Sequence, residues 1–171
     1  MPANVEIKAR VPDMTAIRGR VESIGAGPAE VLDQEDVFFA APGGRLKLRI
    51  FGPGRGELIF YQRGDTAGPK TSTYRIAPTS EPEALRDILA RVLPVRGIVR
   101  KRRWLYQVGQ TRIHLDRVEG LGEFVELEVV LRAGQTTEAA VAIARDLLKR
   151  LDIADTQLVE QAYVDLLPPA S

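Results

Sequence analysis

Arg112, His114 and Asp116 recur at every second position of one segment, and Glu126 and Glu128 do so in a second segment shortly after it. Alternate residues of an extended strand share a face. Two strands joined by the turn Glu119-Gly120-Leu121-Gly122 therefore carry these ionisable groups on one side. Ile113, Leu115, Val125, Leu127 and Val129 fall on the other side. Carboxylates spaced in this way suit a hard divalent cation, Mg2+ or Mn2+. His114 is the only histidine. It invites a general-base role, or a structural or substrate-positioning one, because a nearby carboxylate favours its charged form and nearby cations its neutral form.

The same inversion recurs along the chain. Asn4, Glu6, Lys8 and Arg10 alternate with Val5, Ile7, Ala9 and Val11, and Arg45, Lys47 and Arg49 alternate with Leu46, Leu48 and Ile50. The run Arg100-Lys101-Arg102-Arg103 is split by the strand period, with Lys101 and Arg103 on one face. Together the polar faces carry Lys8, Arg10, Arg45, Lys47, Arg49, Arg63, Lys101, Arg103 and Arg112 against Glu6, Glu57, Asp116, Glu126 and Glu128. A sandwich with solvated polar faces would alternate similarly. These faces, however, hold few Ser, Thr or Gln residues, and helices are available to cover the apolar sides. A sheet curled into a barrel with its helices outside would place the charges in a wet interior, since burying an unpaired charge costs several kcal/mol. The complement of such an interior is a chain of phosphates on the cations and a divalent ion on the carboxylates.

The elements that must position these groups follow from local signals. A helix is expected from about Met14 to Ile24, and a strand region from Glu30 to Phe39. Pro42-Gly43-Gly44 is a turn, and Glu57 to Arg63 pairs with the Arg45 to Phe51 strand. Gly52, Gly54 and Gly56 form a hairpin turn rather than a phosphate loop, because no helical pattern follows them. Asp65 to Thr71 is expected as loop and Ser72 to Ile76 as a short strand. A helix opening at Thr79-Ser80-Glu81-Pro82-Glu83 would turn Leu85, Ile88, Leu89 and Val92 inward. A strand from Val95 to Tyr106 precedes the hairpin, with Trp104 packed under a helix. After the hairpin, Gly134 to Glu138 starts a helix with the stripe Ala140, Ile143, Ala144, Leu147, Leu148 and Leu151, and a short helix from Thr156 to Leu166 closes the chain. Tyr61 and Tyr74 serve packing or contact an organic head group.

The bulk properties set the bounds. The 171 residues are expected to form one domain, 1–171, with a sizeable core. A hydrophobic fraction of 44% and a charged fraction of 27% are those of a soluble globular protein. No apolar run approaches the roughly 20 residues of a membrane span, and no secretory core is seen. The absence of cysteine excludes disulfides and thiolate chemistry and makes a cytoplasmic location the default. A net charge of +1 argues against a general nucleic-acid binder.

The motifs Glu6-x-Lys8, Arg45-x-Lys47-x-Arg49, Glu57-Leu-Ile-Phe-Tyr-Gln-Arg63, Lys101-x-Arg103, Arg112-Ile-His-Leu-Asp116 and Leu-Gly-Glu-Phe-Val-Glu126-Leu-Glu128, in this order from about Asn4 to Tyr163, resemble the CYTH superfamily of triphosphate tunnel metalloenzymes. Its members include class IV adenylyl cyclases, thiamine triphosphatases and inorganic triphosphatases. The resemblance implies an α+β fold, an eight-stranded antiparallel tunnel with a charged interior and helices packed outside. It implies Glu6, Glu126 and Glu128 as ligands of Mg2+ or Mn2+, with Asp116 as a further acid of the metal shell. Lys8, Lys47, Arg49, Arg63, Lys101, Arg103 and Arg112 would hold the triphosphate. Of these, Lys8, Arg49, Lys101 and Arg103, with His114, would serve catalysis. The implied substrate is tripolyphosphate, ATP or thiamine triphosphate, hydrolysed or, for ATP, cyclised to cyclic AMP. A module that binds polyphosphate or nucleotide without turnover is the alternative, and the chain is expected as a monomer or homodimer. One residue departs from the family signature Glu-x-Glu-x-Lys: Asn4 stands in place of the first acid. An amide oxygen ligates a hard metal without adding negative charge, so the metal, especially a second ion, should be held less tightly.

Overall fold

The computed structural model describes residues 2–64 and 68–168. Its elements run β1 (Ala3–Arg10), α1 (Met14–Ser23), β2 (Glu30–Phe39), β3 (Arg45–Gly52), β4 (Arg55–Arg63), β5 (Lys70–Thr79), α2 (Pro82–Val92), β6 (Val95–Val108), β7 (Thr111–Val118), β8 (Gly122–Val130), α3 (Thr137–Arg150), β9 (Leu158–Val159) and α4 (Tyr163–Leu166). Every strand pairing is antiparallel, in the order β5-β4-β3-β2-β6-β7-β8-β1, and β1 pairs again with β5. The sheet therefore closes on itself as a ring, and β9 extends it along the rest of β1.

Closure buries both faces of the strands. On β1, Val5, Ile7 and Ala9 are buried outward while Asn4 and Lys8 are buried inward. The outward apolar residues of β1, β7 and β8 pack under α1 and α3, whose first turns are capped by Asp13 and Thr136 accepting from Ala16 N and Ala139 N. Trp104 also packs there, flanked by Arg18 of α1 and Arg117. A separate cluster of Val37, Phe39 and Leu48 lies under Leu85, Leu89 and Leu93. The hairpin turn at Gly52 to Gly56 is as expected. Gly54 adopts φ 72°, and a Cβ on Gly56 would come within 2.8 Å of both Arg49 O and Pro82 Cβ, where α2 begins.

Three expectations are corrected. Ile88 and Val92 are 57% and 70% exposed, because a helix resting on the convex outside of a ring meets it along one ridge of side chains, here Leu85 and Leu89. β5 is longer than Ser72 to Ile76, since it pairs with β4 over Ser72–Thr79 and with β1 over Lys70–Thr73. Residues 65–67 of the expected loop lie outside the described residues. The closing helix is absent. Leu158 and Val159 pair with β1, and the Glu160 and Gln161 carbonyls accept from Lys70 Nζ and Lys8 Nζ. The backbone polar groups are thus spent on other elements, and only short turns remain helical, a 3-10 turn over Asp155–Gln157 and the single turn α4. Among the described residues no helix is long and apolar enough to cross a membrane.

Candidate functional site

The ring encloses a cavity of about 340 Å3 lined by side chains from all eight of its strands and by Ala162 and Tyr163. Which residues reach it is decided by register. On one wall, Asp36 of β2 pairs with Arg49 of β3, and Gln34 pairs with Lys101 of β6. Asp36 is 1% exposed. It accepts two hydrogen bonds of 2.8 Å from Arg49 and one of 2.9 Å from Lys101, and lies 3.3 Å from Lys47 Nζ. Burial opposes its ionisation, but Arg49, Lys101 and Lys47 outweigh that and hold Asp36 well below the usual carboxylate range. Burial among Arg49, Arg103 and Lys47 pushes the Lys101 ammonium down to about 7, against the pull of Asp36. Lys47 is likewise lowered by burial and by Arg49.

Beside this wall, Arg103 pairs in register with Asp116 of β7 and donates two hydrogen bonds of 2.7 Å to its carboxylate. Tyr163 donates a third, of 2.8 Å, to Asp116 Oδ2. Both oxygens of Asp116 are thereby engaged, and the residue is 0% exposed. The structure thus sets Asp116 behind Arg103 rather than among the acids grouped where a cation could be held.

Those acids belong to the opposite wall. Glu126 of β8 lies between Lys8 of β1 and His114 of β7, and Glu128 lies between Glu6 and Arg112. His114 Nδ1 is 3.6 Å from Glu126 Oε1, and its Nε2 is 3.8 Å from Glu128 Oε2. Ligand atoms of His114, Glu126 and Glu128 all lie within 4.8 Å of one another. Glu128 also accepts from Asn4 Nδ2 at 2.8 Å and from Arg112 Nη2. Glu6 is drawn instead to Arg63, at 3.1 Å, and burial together with Glu126 raises its pKa. Despite burial, His114, Lys8 and Arg103 hold Glu126 well below its ordinary range. Burial and Arg103 lower His114, so its neutral form is favoured near pH 7. Lys8 donates to Gln161 O at 3.0 Å and sits 4.1 Å from the Tyr163 ring, and burial lowers it to about 8.

The structure therefore gathers Glu6, Lys8, Lys47, Arg49, Arg63, Lys101, Arg103, Arg112, His114, Glu126 and Glu128 around one cavity. Arg10 is exposed over Phe124, and Arg45 is tied to Asp165 of α4 at 2.7 Å. Sequence reasoning missed the cavity residues Asp36, Gln34, Ser72 and Tyr163. Asp36 and Gln34 left no periodic signal, since they share a parity with Leu32 and Phe38, and their register against Arg49 and Lys101 is not local. Ser72 reaches the cavity through the pairing of β5 with β1, and Tyr163 through the C-terminal turn, neither of which is a local pattern.

Buried atoms without a hydrogen-bond partner among the described residues include Asn4 Oδ1, Gln34 Oε1, Arg63 Nε and Nη2, Arg112 Nε and His114 Nδ1. All belong to residues lining the cavity. Unpaired donors on guanidinium groups fit phosphate oxygens, and unpaired acceptors beside two carboxylates fit a divalent cation.

The model of the CYTH domain matches residues 2–163. This chain is a member of the CYTH family. It is 25% identical over 171 residues to the adenylate cyclase CyaB of Aeromonas hydrophila, covering 93% of this chain and 85% of that one. The solved PH1012 protein of Pyrococcus horikoshii superposes with a TM-score of 0.87 at 26% identity, over 96% of this chain and 99% of its own. A Hippeastrum protein, provisionally an adenylyl cyclase, with a dominant triphosphatase activity, shares the fold at a TM-score of 0.65 and 17% identity, over 93% and 91% of the two chains. These two solved structures share this chain's fold, whose closed ring of strands puts its charged faces inside.

Proposed function

We propose that this CYTH protein is a divalent-metal-dependent enzyme that hydrolyses a triphosphorylated substrate. The observation that carries the reading is the facing of two walls across one cavity: a carboxylate pair with unpaired acceptors opposite a bank of buried cations. A bound Mg2+ or Mn2+ would supply charge neutralisation at phosphate oxygens. Glu126 and Glu128 hold the ion, with Glu6 beside them. Lys8, Lys47, Arg49, Arg63, Lys101, Arg103 and Arg112 bind the phosphates. Of these, Lys8, Arg49, Lys101 and Arg103 are aimed where charge develops as the phosphoryl group transfers. Asp116 orients Arg103 through its paired hydrogen bonds.

The likeness to the Aeromonas cyclase favours a second reading, cyclisation of ATP. The cavity's rim offers Leu32, Phe51, Ile76 and Leu105 to an organic head group. Purified protein is incubated with Mg2+ or Mn2+ and, separately, tripolyphosphate, thiamine triphosphate and ATP, while phosphate and cyclic AMP are followed. Phosphate release supports hydrolysis, and cyclic AMP supports the second reading. Binding of tripolyphosphate with neither product at stoichiometric enzyme would make the chain a binding module.

A further inference from the structure

His114 is 5% exposed and faces two carboxylates, yet both of its ring nitrogens lie beyond hydrogen-bond distance from them. Its Nδ1 has no hydrogen-bond partner among the described residues, with Glu126 Oε1 the nearby acid at 3.6 Å. A buried polar atom without a well-formed hydrogen bond is costly, so an arrangement that keeps one needs a reason. Asn4, 3% exposed, repeats the pattern: its Nδ2 donates to Glu128 Oε1, while its Oδ1 is buried and unpaired. Two neutral donors thus stand beside the same carboxylate pair. Glu6, which the resemblance assigns to the metal, has an oxygen in its ion pair with Arg63 and falls outside the group formed by His114, Glu126 and Glu128.

We infer that His114 is itself a metal ligand, completing with Glu126, Glu128 and the Asn4 amide oxygen a mixed nitrogen and oxygen site for one ion, selective for Mn2+ or Co2+ over Mg2+. The inference rests on the proposed metal dependence. Mg2+ prefers hard oxygen ligands in near-ideal octahedral geometry, whereas imidazole raises affinity for the later divalent ions. Charge points the same way. Two carboxylates balance a single divalent ion, and Asn4 in place of an acid contributes no charge toward a second. A ring nitrogen engaged by the metal is not available to take a proton, so this role replaces the general-base reading of His114.

The chain's single histidine makes the test direct, because its ring protons give the only imidazole signals in a proton NMR spectrum. On adding Co2+ to the metal-free protein, those signals should move outside the diamagnetic range. Calorimetric titration of the wild type should show Mn2+ binding tighter than Mg2+ by roughly tenfold or more. In His114→Gln, with thermal unfolding confirming a folded protein, Mn2+ affinity should fall at least about tenfold while Mg2+ affinity changes far less. Asn4→Glu, made in the wild type, should raise Mg2+ affinity above the wild-type value. Co2+ binding that leaves the ring signals in place, or His114→Gln binding Mn2+ like the wild type, overturns the role of His114 and leaves metal dependence standing. If Mg2+, Mn2+ and Co2+ all fail to bind the wild type, metal dependence falls as well.

Discussion

On the β2, β3 and β6 wall of the cavity, Lys47, Arg49 and Lys101 converge on one carboxylate, Asp36, so the cations are held in place by an internal counter-ion. On the β1, β7 and β8 wall, Glu126 and Glu128 face His114 and Asn4 with polar atoms left unpaired. The first wall is assembled without any ligand. The second is a set of polar groups that satisfy one another only in part, with Asn4 Nδ2 on Glu128 but Asn4 Oδ1 and His114 Nδ1 left over. Under the proposed function the contrast separates binding from chemistry: the preformed cations would fix a polyanion, and the acidic wall would hold the cation that acts on it.

The sharpest way to break this division is to remove the acids. Glu126→Gln combined with Glu128→Gln should lower turnover by about a thousandfold or more, while tripolyphosphate binding measured by calorimetry persists. Loss of both together would show that the walls do not act separately.

The next effect falls on stability. Asp36→Asn leaves Lys47, Arg49 and Lys101 buried without their counter-ion and should cost about 3–5 kcal/mol in urea unfolding. Added tripolyphosphate should restore much of that loss, because a bound polyanion replaces the missing charge. An unchanged urea midpoint would show that Asp36 does not hold the wall together.

A third effect is in pH. Lys101, lowered to about 7 by burial and its cationic neighbours, is protonated below that pH and loses its charge above it. Its contribution to polyanion binding is therefore present at pH 6 and falls as pH rises toward 9, by up to about tenfold per unit. Lys101→Arg stays charged throughout and should remove that component while leaving the ligand's own titration. Equal slopes in the two proteins would contradict the assignment.

The smallest effect concerns the C-terminal turn. Tyr163→Phe removes one hydrogen bond to Asp116 and should cost about 1 kcal/mol of stability, with kcat changed less than a few-fold. A large fall in kcat would place the turn in the chemistry.

Much of this was legible in the alternation of residues. Lys8, Lys101, Arg103, His114, Glu126 and Glu128 share a face with their strand neighbours by parity alone, and the structure puts all of them around the cavity. Asp116 has the same parity as His114, yet its register with Arg103 and the reach of Tyr163 give it different work. β2 resisted the reading because Glu30, Leu32, Gln34, Asp36 and Phe38 do not form a polar face, so its most consequential residue carried no periodic signal. The C-terminal stretch misled because its helical spacing gave way to pairing with β1 and to lysine ammonium groups that took up its carbonyls.

The sequence by itself determined which side chains lie together on each strand, since the two-residue period is a property of the extended backbone. It also determined the substitution of Asn4, and with it the reduced charge of the acidic wall. Which strand neighbours which, and at what offset, came only from the closed ring. A cross-strand partner is set by registers summed around all of the ring's strands, and no local pattern contains that sum. That is why the pairing of Asp36 with three cations, the retirement of Asp116 behind Arg103, and the place of His114 between two carboxylates were decided by the tertiary structure.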